Sequence, residues 1–315
     1  TQNQFRHAKR LLLKAWIKAI RDKNYFRSNR KDYNLPVSKF LGFEFEMARC
    51  GAYYTNCLPT KTPLVSIIIR TCGRPQVLRE TLQSVRNQTY SNLEVVIVED
   101  GLAIAKEMIE KEFSDLNFKY FATIEKVGRS KAGNIALSMA KGKYINFLDD
   151  DDLFYAEHVE VLVFNLEQSY CRAAYAIGCE TQIEVLNYEL YEYKIHGYKE
   201  VHKQSFDKVT LCHHNYIPIQ CIMFERDLYE SYGGFDEKLD ALEDWDLWVR
   251  YSLYTDFKYV EKTTSIYRIP YERTRNLERQ NKLDQALKIV REKHKTYMQT
   301  VSVYELAGMY EKSCS

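Results

Sequence analysis

Between Leu64 and Asp152 short, nearly unbroken apolar runs alternate with stretches of helical spacing. Val65-Ser66-Ile67-Ile68-Ile69 reads as a strand buried on both faces of a mostly parallel sheet, and Val77–Gln88 puts Val77, Leu78, Leu82 and Val85 on one side of a helix. The alternation repeats: a strand at Leu93–Val98, a helix, a short strand around Phe118–Ala122, a helix opened by Gly128–Asn134, and a strand Tyr144–Leu148. This βαβαβαβ order predicts an α/β fold with an open, mostly parallel Rossmann-like sheet and helices on both faces. Beyond it the pattern predicts a helix over 153–165, strands with a hairpin within 171–200, and a strand entered through His213–Phe224. A turn at Gly233–Glu237 then leads to a helix from Leu242. Helical extensions are expected at both ends.

The ends differ in charge. Residues 1–31 hold ten Lys or Arg against one acid, Asp22, with Leu12, Leu13, Trp16, Ile17 and Ile20 at helical spacing. A basic amphipathic helix of this kind can make a peripheral membrane contact, or pack its stripe on the main domain. Residues 32–63 read as a connector with a short helical piece at 43–49. Residues 271–315 read as a helical appendage, with Leu277, Leu283, Ala286, Leu287 and Val290 on one stripe and a second helix at 303–311. That appendage could equally be a junction to further domains of a larger synthase.

Over its 315 residues the chain has a net charge of only +2, which speaks against a nucleic-acid partner. Its eight cysteines show no C-x-x-C spacing, and no apolar run approaches membrane-spanning length. Reduced thiols and a cytoplasmic protein, at most at the inner face of the membrane, are the expectation.

The chemistry concentrates at strand ends. In an open α/β sheet, ligands bind at the carboxyl ends of the strands. Here those ends carry Arg70–Arg74, Asp100 and the four consecutive acids Asp149–Asp152. Such a run is a solvated acidic turn or a site where a hard divalent cation bridges carboxylates to phosphates. Arg74, Arg129 and Lys131 can add positive charge for phosphate oxygens, and Asp100 can accept from a base edge or ribose. Neither G-x-G-x-x-G nor G-x-x-x-x-G-K-[ST] occurs, which counts against a dinucleotide-binding dehydrogenase or a P-loop nucleotidase. Cys212, His213, His214 and Cys221 have no standard zinc spacing.

Taken together, Val65–Arg74, Val96–Gly101, Gly128–Leu137 and Gly142–Asp152 resemble the family 2 glycosyltransferases, inverting enzymes of the GT-A fold. Leu148–Asp152 matches the DXD motif, and Gly233–Glu237 followed by Glu243–Trp248 matches the ED motif. The resemblance covers roughly 64–270, with 64–152 as the nucleotide-sugar half and 153–270 as the acceptor half. It implies Asp151 and Asp149 as ligands of Mn²⁺ or Mg²⁺. It implies Thr71, Asp100 and Asp150 around a nucleotide-diphospho-sugar, and Arg70, Arg74, Arg129, Lys131 and Asn134 are the further candidates for that site. It also implies Asp244 as catalytic base, with Glu243 and Trp245 beside the acceptor. The sequence departs from the family pattern at Arg70 (proline there), Gly73 (asparagine), Glu99 (aspartate) and Lys131-Ala132-Gly133, where Ala-Arg often precedes Asn.

From the residues alone, Asp244 in a first helical turn could be simple capping, with Trp245 and Trp248 as core. The expected activity is metal-dependent, inverting glycosyl transfer to a glycan or lipid-linked glycan, in surface polysaccharide synthesis. A sugar nucleotidyltransferase and a non-catalytic binding module of a larger synthase are the alternatives.

Overall fold

The computed structural model describes residues 62–298. The expected helices at 1–31, 43–49 and 303–311, with Cys50, Cys57 and Cys314, lie outside them. Strands β1 (Val65–Thr71), β2 (Leu93–Glu99), β3 (Phe118–Ala122) and β4 (Tyr144–Asp149) alternate with helices α1 (Pro75–Arg86), α2 (Lys106–Glu112) and α3 (Arg129–Met139). The remainder comprises β5 (Leu153–Phe154), α4 (His158–Glu167), β6 (Ala173–Asn187), β7 (Glu192–Val201), α5 (Lys208–His213) and β8 (Ile222–Glu225). After these come α6 (Arg226–Tyr232), α7 (Glu243–Ser252), β9 (Phe257–Pro270) and α8 (Arg273–Met298).

The nine strands form one sheet in the order β3-β2-β1-β4-β8-β6-β9-β5, with β7 paired to β6. Pairing is parallel from β3 to β4. Beyond β4 the sheet is mixed, because β8 runs antiparallel to both β4 and β6 while β6 and β9 run parallel to each other. The first four strands are so apolar because both faces are covered. Ile68, Val96, Ile145 and Phe147 pack with α3 and α7, while Ile67, Ile69, Val95, Ile97 and Leu148 pack with α1, α2 and α4.

Residues 153–165 are not one helix, as the pattern suggested. Leu153 and Phe154 pair antiparallel with Ile266 and Ser265 of β9, and α4 starts only at His158. Tertiary pairing overrides local helical spacing there. The C-terminal appendage docks by its second half. Val290 is buried, and Lys293 pairs with Asp236 at 2.7 Å and with Asp246 of α7 at 2.9 Å, whereas Leu277 in the first half is exposed. All five cysteines among the described residues are free thiols.

Candidate active site

Strand alternation decides where the acids point. Side chains alternate faces along a strand. Ile68 and Phe147 face α3 and α7, so Arg70 and Asp149 continue onto that side, and Thr71 and Asp150 fall on the α1 side. The parallel register sets Arg70 directly beside Asp149. The acidic run is thereby divided between the two faces of the sheet.

On the α7 side, Arg70 is the hub. Its Nε and Nη2 donate to Asp149 Oδ1 at 3.2 and 2.7 Å, and its Nη1 donates to Glu243 Oε1 at 2.8 Å. The guanidinium lies over the rings of Phe147 and Phe235, 5.8 and 5.4 Å from their centroids. Gly133 makes room for this packing: a Cβ there would meet the Phe235 ring at 2.6 Å and the Arg70 side chain at 3.4 Å. Burial would raise Asp149, but Arg70 and Arg129 hold its carboxyl below the usual carboxylate range.

The α1 side carries Asp150, which is buried. Thr71 Oγ1 donates to its Oδ2 at 2.6 Å, and Arg74 donates to both of its oxygens. Burial pushes Asp150 up to about 7; Arg74 pulls the other way, and Asp151 and Asp149 add to the rise. Asp152, also buried, accepts the backbone N–H of Arg268 at 3.2 Å, and burial raises its carboxyl well above the usual range. Asp151 is the open member of the run. Its side chain is 36% exposed, and Arg74 Nη1 approaches its Oδ2 at 3.3 Å. Beside Arg74 and Asp151 a cavity of about 650 Å³ opens between the β1–α1 turn, the β6–β7 hairpin and the end of β9, with Ile183, Val185 and Tyr191 in its wall.

The ED segment begins α7. Leu242, just before it, has φ 59°, a left-handed conformation uncommon for a branched side chain. The loop leading to it is fixed from α3: Ser130 Oγ donates to the Leu239 carbonyl at 2.5 Å, and Asn134 donates to the Phe235 carbonyl at 3.0 Å. Asp244 is half-buried, and Asn215 Nδ2 reaches its Oδ2 at 3.4 Å. Burial and the Glu243 carboxylate push Asp244 up to about 7, against the pull of the Trp245 N–H, Arg70 and Asn215. A half-buried carboxyl that ionises near neutrality suits a general base.

Several expected roles change. Trp245 is fully buried and donates from Nε1 to the Leu211 carbonyl at 2.5 Å, so it belongs to the core and does not line an acceptor site. Glu243 is only 2% exposed and turns toward Arg70 rather than toward open crevice. Arg70 itself spends its fork on two carboxylates, and Asn134 spends its amide on Phe235 and Glu237. Neither is free to receive a donor. Asp100 accepts from the N–H groups of Val127 and Gly128 at 2.6 and 3.1 Å, which shapes the turn into α3. Arg129 and Lys131 are exposed at the start of that helix, and Arg129 Nη1 lies 3.8 Å from Glu243.

Sequence reasoning missed three contributors. Asn215 stands beside the two histidines, and nothing in its spacing ties it to Asp244. Glu99 holds the β1–α1 turn by accepting from the N–H groups of Gly73 and Ala105 at 3.2 and 3.0 Å. Gly73 there has φ +63°, so a residue free to enter the left-handed region is required. Phe235 sits under Arg70, a partnership no spacing could reveal.

A divalent cation fits this chemistry in a limited way. No group of three His, Cys, Asp or Glu suited to a metal is preassembled among the described residues. Asp151 presents an exposed carboxylate, and both bonds from Arg70 fall on Oδ1 of Asp149, not on Oδ2. One or two carboxylates supplemented by substrate phosphates and water is the usual set for Mg²⁺.

Comparison with known proteins agrees with this architecture. The family model described as "Glycosyl transferase family 2" matches residues 66–233. An uncharacterized glycosyltransferase of Rickettsia typhi is 29% identical over 215 residues, which cover 65% of this chain and 64% of that protein. An uncharacterized glycosyltransferase of Methanocaldococcus jannaschii is 30% identical over 221 residues, covering 66% and 71%. The chain thus spans a little under two thirds of the length of the Rickettsia typhi relative. Among solved structures, S. aureus TarS 1-349 in complex with UDP matches at 20% identity with a TM-score of 0.53, over 65% of this chain and 60% of that one. The mannosyltransferase PcManGT from Pyrobaculum calidifontis, in complex with GDP-Man and Mn²⁺, matches at 15% identity with a TM-score of 0.52, over 87% and 90%. At these identities the structural matches establish the fold.

Proposed function

The chain belongs to glycosyl transferase family 2, and from that premise we propose that it is a metal-dependent, inverting glycosyltransferase using a nucleotide-diphospho-sugar. The observation that carries this reading is the single guanidinium of Arg70, bonded at once to Asp149 of the acidic strand end and to Glu243 of the ED helix. On this reading the two acidic clusters border one crevice.

Within it, Asp244 takes the proton of an acceptor hydroxyl as that oxygen attacks C1 of the donor. The C1–O bond to the nucleoside diphosphate breaks in the same displacement, and the anomeric centre inverts. Asp151, with Asp149 as second ligand, would hold the cation; when bound, it supplies Lewis-acid stabilisation of the leaving diphosphate. Arg129, exposed at the start of α3, can add charge-assisted hydrogen bonds to phosphate oxygens, and the half-exposed Arg74 would do so by giving up part of its pairing with Asp150 and Asp151. TarS with UDP and PcManGT with GDP-Man and Mn²⁺ support a nucleotide-linked donor and a cation. A glycan or lipid-linked glycan of a surface polysaccharide is the proposed acceptor class, and the cytoplasm the proposed location. No helix among the described residues is long and apolar enough to cross a membrane.

The test is release of nucleoside diphosphate from UDP-, GDP-, CDP- and dTDP-sugars, with and without Mn²⁺ or Mg²⁺. Cation-dependent release from one donor class is expected. Release of pyrophosphate would indicate nucleotidyl transfer instead, and binding without any release would indicate a binding module.

A further inference from the structure

We propose that Arg70 is a positioning residue of this site: a buried clamp that ties β4 to α7 and sets the orientation of the Glu243–Asp244 pair before any donor arrives. The inference rests on the transferase reading for what the pair does. It rests on the geometry for what Arg70 does.

Three observations meet at this side chain. The arginine is buried to 7% exposure and satisfies Asp149 and Glu243 with bonds of 2.7 and 2.8 Å. Two aromatic rings, Phe147 and Phe235, pack against its guanidinium. The site is shaped to admit it, since Gly133 leaves the space that Phe235 and the arginine stem occupy.

The consequences follow from charge. Glu243 is buried and next in sequence to Asp244, so an unpaired Glu243 carboxylate would repel the neighbouring base and seek another partner. Held by Arg70, it leaves Asp244 as the half-buried carboxyl of the pair. Arg70 also occupies Asp149 Oδ1, which shifts the main cation contact to Asp151. The groups facing Asp244 are Glu243 on its own helix, Arg70 on β1, and Asn215 from the segment after α5. Of these, only Arg70 supplies positive charge, so its removal makes Asp244 harder to ionise.

The experiment compares wild type with Arg70→Met, Arg70→Lys and the double variant Arg70→Met/Glu243→Gln. It measures UDP and GDP binding without metal, melting temperature, and the pH dependence of donor hydrolysis on the nucleotide-sugar that the wild type hydrolyses. Arg70→Met is expected to bind nucleotide within about threefold of wild type. Its kcat should fall about 100-fold, the loss expected of a base misplaced by about 1 Å. The acid limb of its kcat/KM profile should move to higher pH. Arg70→Lys, which keeps charge but not the fork, should fall between the two. The double variant, which neutralises Glu243 and leaves Asp149 to the more distant charge of Arg129, should recover part of the melting temperature but not kcat, and it keeps the test alive if Arg70→Met fails to fold. The proposal is overturned if any folded variant lacking Arg70 keeps wild-type kcat and acid limb, or if the double variant recovers rate together with stability. If no wild-type turnover exists at all, the transferase reading fails, while the clamp still stands or falls on recovery of melting temperature in the double variant.

Discussion

Replacing Asp244 with Asn should alter how stability varies with pH, and the sign is fixed by the site. Burial and Glu243 push Asp244 up to about 7 in the folded chain, against 3.8 for the unperturbed carboxyl. Between those values the folded state holds a proton that the unfolded state has released. Stability from this group is therefore fully present below about pH 4 and is lost as pH rises through about 7. Asn cannot ionise, so Asp244→Asn escapes that loss. Two pH units of differential binding, from pH 5 to about 7, correspond to roughly 3 kcal/mol at 1.36 kcal/mol per unit. Urea unfolding of wild type and Asp244→Asn at pH 5 and pH 8 measures it. The stability difference should move by about 3 kcal/mol in favour of Asn at the higher pH. Should the difference stay constant to within about 0.5 kcal/mol, Asp244 titrates normally, and its assignment as a base poised near neutrality loses its physical ground.

Further outcomes are expected. Asp151→Asn should abolish the enhancement of UDP binding by Mn²⁺ in calorimetry, whereas unchanged enhancement would remove Asp151 as the cation contact. Gly133→Ala should destabilise by about 1–3 kcal/mol in thermal or urea unfolding, because its Cβ would meet the buried Phe235 ring at 2.6 Å; a neutral result would mean that this packing yields freely. Val185→Glu, which places a carboxylate in the wall of the 650 Å³ cavity beside Arg74 and Asp151, should weaken UDP binding severalfold in calorimetry. Unchanged UDP binding would place the cavity outside the donor site.

Much of residues 64–152 could be read from residues alone. Strands buried on both faces need continuous apolar runs, and those runs marked β1, β2 and β4 to within a residue or two. Residues 153–270 were less legible. Leu153 and Phe154 look like the start of a helix until β9 pairs with them, and β9 is more than a hundred residues away. Motif spacing located Asp149–Asp152 and Glu243–Asp244 but said nothing of their partners. Arg70 read as part of a nucleotide-sugar site because it lies at a strand end. It instead faces two carboxylates, since the β1–β4 register and the docking of α7 bring them there. Trp245 has a polar tip suited to a sugar, yet that tip is used by the Leu211 carbonyl in the core. Both cases turn on contacts between segments far apart in sequence, where local pattern carries no information.

The most direct measurement follows the anomeric configuration of the sugar first released when the chain hydrolyses its nucleotide α-linked donor, read by proton NMR before mutarotation. A single displacement with Asp244 as base predicts the β anomer from wild type, and a loss of 10²–10⁴-fold in rate for Asp244→Asn. Initial release of the α anomer, or an Asp244→Asn variant as fast as wild type, would contradict the account.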